Sequence, residues 1–127
     1  MNRWTTLLGI ALCASGCSFQ ARDAETYRQV TRELVETRSA DLKACYDTEL
    51  KANPKAAGTV IVRFTVKKET GQVMNATMDE VASSAPASLG QCIVTALNGL
   101  VLDPPDARDG DATFQWEFKL GAAPAAG

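Results

Sequence analysis

The stretch from Gly58 to Met78, GTVIVRFTVKKETGQVMNATM, constrains the fold of this chain more than any other. Val60, Val62, Phe64 and Val66 alternate with Thr59, Arg63, Thr65 and Lys67, and only Ile61 breaks the pattern. A period of two marks a strand with one buried face. Lys68 to Gln72 interrupts it, and Gly71 can take the positive φ that a tight hairpin loop needs. Val73 to Met78 reads as the return strand. A lone hairpin cannot bury its own apolar face. The rest of the chain must therefore supply a helical cover and a third strand.

The segments on either side meet that demand. Asp23 to Asn53 contains no Pro or Gly, and Asp23 is suited to cap a helix with Glu25 in its first turn. Tyr27, Val30, Leu34 and Val35 form one apolar stripe; Leu42, Cys45, Tyr46 and Leu50 form a second. Thr37-Arg38-Ser39 lies between them, so the spacing predicts two helices or one bent helix, with Ser39 as a possible cap. Asn53-Pro54 ends the segment. Beyond the hairpin, Ser84 as a cap and Pro86 near the first turn open a further helix with the stripe Leu89, Cys92, Ile93, Ala96, Leu97 and Leu100, stopped by Asp103-Pro104-Pro105. Ala112 to Leu120 then places Phe114, Trp116, Phe118 and Leu120 on one face and Thr113, Gln115, Glu117 and Lys119 on the other. The predicted class is α+β, in the order helix-strand-strand-helix-strand, with a three-stranded antiparallel sheet packed against helices.

A chain of 127 residues suits one small domain. Its first residues read as an export signal: Arg3, an apolar run from Leu7 to Ala14 too short to span a bilayer, then Ala14-Ser15-Gly16-Cys17. Small residues before a Cys match a bacterial lipobox, in which Cys17 is lipidated and becomes the new N-terminus. The alternative is an ordinary signal peptide cleaved after Ala14 or Gly16, leaving Cys17 a free thiol. Ser18, rather than Asp, follows the pattern of lipoproteins sorted to the outer membrane. The predicted organisation is a signal peptide over 1–16, a lipid-anchored tether over 17–22, the domain over 23–120 and a flexible tail over 121–127. Cys13 falls in the discarded segment and Cys17 carries lipid, so Cys45 and Cys92 remain, and in an exported protein they read most simply as one disulfide. Each lies in the apolar stripe of its helix, so both are expected to be buried.

With these residues in place, the chain resembles the AgmX/PglI C-terminal domain, a TonB C-terminal-like family of envelope and gliding-motility proteins. The resemblance runs through Leu42-Lys43-Ala44-Cys45-Tyr46-Asp47, Leu50, Asn53-Pro54, Gly58 to Phe64 and Gly71-Gln72-Val73, then through Gln91-Cys92-Ile93, Ala96, Leu102 and Pro104-Pro105. It covers about residues 28 to 120. It implies a non-enzymatic envelope module with the element order derived above and a disulfide between the two Cys-bearing helices. Asn98-Gly99-Leu100-Val101-Leu102 stands where the family has a basic-aromatic helix end.

Chemistry-bearing residues are sparse. The net charge of −2 and the absence of His give no nucleic-acid footprint, no imidazole base and no imidazole ligand. Ser83 and Ser84 therefore have no triad partner, and the neighbouring carboxylates Asp79 and Glu80 point to opposite sides of a strand end. Asp103, Asp106, Asp109 and Asp111 do not follow the EF-hand spacing and read as a solvated acidic loop. No cofactor or metal is expected. Arg63 and Lys67 read as a solvated outer sheet face. If the last strand is an edge, its backbone can pair with an extended peptide, which is the mode of TonB-like domains. Thr113, Gln115, Glu117 and Lys119 are then the candidate partner-binding positions. The sequence thus points to a non-catalytic, lipid-anchored periplasmic adaptor at the outer membrane that captures an envelope protein or peptide. The alternative is a structural accessory lipoprotein of a motility or transport complex that docks through helix faces.

Overall fold

Strand β1 (Gly58–Val66) lies at the centre of the sheet, and the other elements are placed by what they cover or pair with on it. The computed structural model describes residues 21–121 and 125–126. Residues 1–20, which include the predicted export signal and Cys17, and residues 122–124 and 127 lie outside the described residues. The order is α1 (Ala24–Glu36), α2 (Ser39–Ala52), β1, β2 (Val73–Met78), α3 (Ala87–Leu97), β3 (Gly110–Phe118) and β4 (Ala125–Ala126). This is the α+β order read from the sequence, with two helices separated just before Ser39, one of the two forms expected there, and one short strand added. The sheet runs β2-β1-β3-β4 and every pair is antiparallel. Val60, Val62, Phe64 and Val66 face the helices at 0–3 % exposure, as the alternation demanded.

The helices cover that row. Asp23 caps α1 by accepting from Thr26 N at 3.3 Å, and Val35 buries with Tyr27, Val30 and Leu34 beside it. α2 places Leu42, Cys45 and Tyr46 in the core, where the Tyr46 hydroxyl donates to Ala56 O at 2.6 Å and fixes the chain's exit toward β1. Tyr46 also meets Phe118 at a ring separation of 4.9 Å. Two expected caps are corrected. Ser39 is the first residue of α2 rather than its cap, and its hydroxyl donates back to Glu36 O. Ser84 does not cap α3, which starts after Pro86; its Oγ accepts from Thr59 N at 2.8 Å. The reason is the length of β2, which leaves the outward groups of Thr59 and Ile61 to Ser84, Ala85, Ser83 and Asp79.

Cys45 and Cys92 form a disulfide between α2 and α3 across a Cα separation of 5.8 Å. The expectation that both are buried is corrected: Cys45 is, whereas Cys92 is exposed. Leu89, Ile93 and Leu97 occupy the core line of α3. Cys92 precedes Ile93 and so lies about 100° round the helix, on its flank.

The sheet's two margins differ. On β2 the register jumps between Arg63↔Thr77 and Thr65↔Met74, and Asn75 takes φ 57° in the resulting bulge. β3 pairs with β1 residue for residue from Gly58↔Phe118 to Val66↔Gly110. β3 therefore begins and ends two residues before the predicted Ala112–Leu120. Lys119 and Leu120 fall beyond it because β1 has no residue left to pair with them, and Leu120 is exposed. The tail, expected to be loose, returns at β4 to pair Ala126 with Trp116 and Ala125 with Glu117.

Gly71 shows why the hairpin needs a glycine. Its φ is 72°, its N–H donates to Lys67 O, and its carbonyl accepts from Leu102 N at 2.7 Å. A β-carbon there would overlap the Leu102 carbonyl. Gly71→Ala is expected to lose about 1–3 kcal/mol from backbone strain alone, with the overlap adding to it, measured by urea denaturation. Replacing both disulfide cysteines by Ser is expected to cost about 4 kcal/mol, from the 47-residue separation that the bridge closes. A stability change within error in the same assay would assign the domain's stability to its core alone.

Candidate functional site

The site is built where β3 passes α1. In β1, Thr59 and Ile61 direct their main-chain groups toward β2 and the segment that follows it. Strand alternation then directs those of Val60, Val62 and Phe64 toward Trp116, Phe114 and Ala112 of β3. The intervening residues Asp111, Thr113, Gln115 and Glu117 turn their N–H and C=O groups to the opposite edge of β3. Glu117 meets β4 there. Among the described residues, Asp111, Thr113 and Gln115 have no main-chain partner on that edge.

Of the four partner-binding positions read from the sequence, Thr113 and Gln115 thus lie on a stretch of edge left open among the described residues. Glu117 is a correction, because the chain's own tail occupies it. Lys119 is a second correction, because it lies outside the strand and its Nζ sits 3.3 Å from Glu117 Oε1.

Beside the open stretch is a groove of about 430 Å³ whose floor is Val66, Gly110, Ala112 and Phe114. Its far wall is α1, which presents Ala24, Tyr27, Arg28, Thr31 and Arg32. The Tyr27 ring lies so close over Gly110 that a β-carbon there would come within 2.7 Å of it. The Thr31 hydroxyl donates to Tyr27 O within α1 and leaves no polar demand on the groove.

A buried charge cluster holds that wall in place. Asp106 is fully buried, and its Oδ2 accepts from Arg22 N at 2.9 Å and lies 3.5 Å from an Arg22 guanidinium nitrogen. Its Oδ1 accepts from Arg108 N at 2.9 Å. The Arg22 guanidinium also donates to Pro104 O at 2.7 Å, and Arg108 reaches back to Arg22 O. The Tyr27 hydroxyl donates to Arg108 O at 3.1 Å. Burial pushes the Asp106 carboxyl up, but the two N–H bonds and the two guanidinium charges outweigh it and hold it below its ordinary value. Burial, reinforced by the Asp106 charge, raises the Tyr27 hydroxyl above its ordinary value.

This cluster corrects two expectations. Arg22, assigned to a tether, is 8 % exposed and belongs to the fold. The acidic loop is solvated at Asp103, Asp109 and Asp111, as read, but not at Asp106, which is buried. Asp109 accepts from Lys68 N at 2.7 Å and Asp111 from the Thr65 hydroxyl at 2.9 Å. Arg63 and Lys67 are exposed, as read, with Arg63 2.9 Å from Asp79 and Lys67 3.8 Å from Asp109. Among the described residues, no group of three His, Cys, Asp or Glu side chains is arranged to hold a metal ion.

Sequence reasoning missed Arg28 and Arg32 as rim residues. The available signal was their spacing of four along a helix whose apolar stripe is adjacent. No family model, curated protein or solved structure matches the chain.

The depressed Asp106 value fixes the sign of a pH dependence. The unfolded carboxyl, with an ordinary value of 3.8, takes up its proton before the folded one does. The stabilisation is therefore complete above 3.8 and is lost as pH falls through that value toward the folded one. Asp106→Asn is expected to lose about 3–5 kcal/mol near neutrality, because it leaves Arg22 buried without its counter-charge. Urea denaturation of the variant across this range should also show a weaker loss of stability on acidification than the parent shows.

Proposed function

We propose that this protein is a non-catalytic binding module of the cell envelope, anchored by lipid at Cys17 to the periplasmic face of the outer membrane. It captures an extended segment of a partner protein along β3. The observation that supports this reading most directly is the edge at Asp111, Thr113 and Gln115, unpaired among the described residues, beside the groove under α1. An unpaired edge is a template for another strand, and main-chain bonds supply affinity without demanding side-chain chemistry. The opposite margin of the sheet is a poorer template, because the Asn75 bulge in β2 breaks its register. The Ala14-Ser15-Gly16-Cys17 run supports the anchor, and the α+β element order is compatible with the TonB C-terminal-like resemblance.

The reading is tested with a photocrosslinking residue placed at Thr113 and, separately, at Asp47 on the exposed face of α2. The Thr113 probe is expected to give a discrete envelope adduct that disappears with Gln115→Pro, which removes one edge N–H and leaves the β1 ladder intact. An adduct from Asp47 that survives Gln115→Pro would instead establish docking through a helix face. Fatty-acid labelling of the full chain is expected to be lost in Cys17→Ser; labelling that persists would overturn the anchor.

A further inference from the structure

Resting on the reading of β3 as a capture edge, we propose that the captured segment carries carboxylates at alternate positions, Asp/Glu-x-Asp/Glu, recognised by Arg28 and Arg32. Paired residues on neighbouring strands share a face. Residues added opposite Ala112 and Phe114 therefore point, as those two do, into the groove and toward α1. Residues opposite Thr113 point away from it. The wall they meet is basic: Arg28 and Arg32 line the groove, both are exposed, and among the described residues neither makes an ion pair.

The other charged side chains at the groove have internal hydrogen-bond partners. Arg22 and Arg108 hold Asp106, Asp109 takes Lys68 N, and Asp111 takes the Thr65 hydroxyl. On α1 itself, Glu33 accepts from Gln29, and neither Glu25 nor Glu36 comes within ion-pair distance of the two guanidinium groups. Among the described residues, an incoming strand meets two cations without an ion pair and an apolar floor, with the Asp109 and Asp111 carboxylates at the β3 margin.

The spacing of the two cations selects the motif. Four residues along a helix rise about 6 Å, while two residues along a strand advance about 6.6 Å. For a strand running along α1, a carboxylate opposite one inward position and another two residues on therefore match Arg28 and Arg32 without a bend. Adjacent carboxylates do not, because one of them must face outward. Arg also suits the task chemically, since its planar fork binds a carboxylate through two N–H groups.

The test uses the full chain in detergent micelles and fluorescein-labelled heptapeptides read by anisotropy. The peptides are Thr-Val-Glu-Val-Glu-Val-Thr, its isomer with the two Glu adjacent, and versions with Gln or Lys replacing both Glu. The alternating Glu peptide is expected to bind about tenfold or more tighter than its isomer and the Gln peptide, with an affinity that falls as salt is added. Arg28→Glu/Arg32→Glu is expected to reverse the preference toward the Lys peptide, while Arg28→Lys/Arg32→Lys keeps its sign; unchanged circular dichroism checks the fold of each variant. Equal binding of all peptides, still lost in Gln115→Pro, would leave the capture edge standing and overturn the motif. Binding of no peptide overturns both, as does Arg-dependent binding to anionic phospholipid vesicles alone.

Discussion

Everything in this domain depends on the apolar row of β1, which has to be covered on one face and paired on both sides. Val60, Val62, Phe64 and Val66 are buried to 3 % exposure or less, and no hairpin can achieve that alone. The remaining elements each answer part of the demand. β3 pairs with β1 along its whole length and adds Phe114, Trp116 and Phe118 to the same face. Its rings continue the row, with Phe114 5.6 Å from Phe64 and 5.7 Å from Trp116. α2 and α3 close over it and are joined by the Cys45–Cys92 bridge.

α1 is held by a different kind of force. Its apolar stripe is half-buried apart from Val35, so packing alone leaves it the least secured of the helices. The Arg22–Asp106 pair at its entrance supplies a directional constraint, because a buried carboxylate with four favourable partners cannot be left unsatisfied without large cost. That constraint sets the height of α1 over β3, and therefore the width of the groove. The same loop connects to the hairpin, since Glu69 N donates to Asp106 O and Leu102 N donates to Gly71 O. One cluster thus ties together the start of α1, the tip of the β1–β2 hairpin and the approach to β3.

The two sheet margins show how a small fold can protect one edge and leave another usable. β2 is blunted by a bulge, and its first residue is already bonded to Leu100 O. β3 is regularly paired, and among the described residues its own tail covers it at Trp116 and Glu117. The remaining open stretch coincides with the groove and with the two cations of α1 that form no ion pair among the described residues. Edge, floor and charge converge there through elements distant in sequence.

The fold was largely legible in the sequence, because alternation and helical stripes encode directly which face each element buries. The period of two in Val60 to Val66, the 3.6-residue stripes and Gly71 in its turn act locally, so they could be read without knowing their neighbours. The candidate site was legible only in part. Thr113 and Gln115 followed from strand alternation, but the loss of Glu117 to β4 and of Lys119 to the end of the ladder depended on how far β1 extends beside β3. Cys92 reads as apolar stripe and sits exposed because the core line of α3 was settled by packing against the sheet. Arg22 reads as tether, and Asp106 as one acid among four; their meeting across 84 residues is a property of the folded chain. The sequence by itself determined the elements, their order and their buried faces, since these follow from local periodicity. Only the tertiary structure decided which charges are neutralised and which edge stays open, since both depend on groups brought together from opposite ends of the chain.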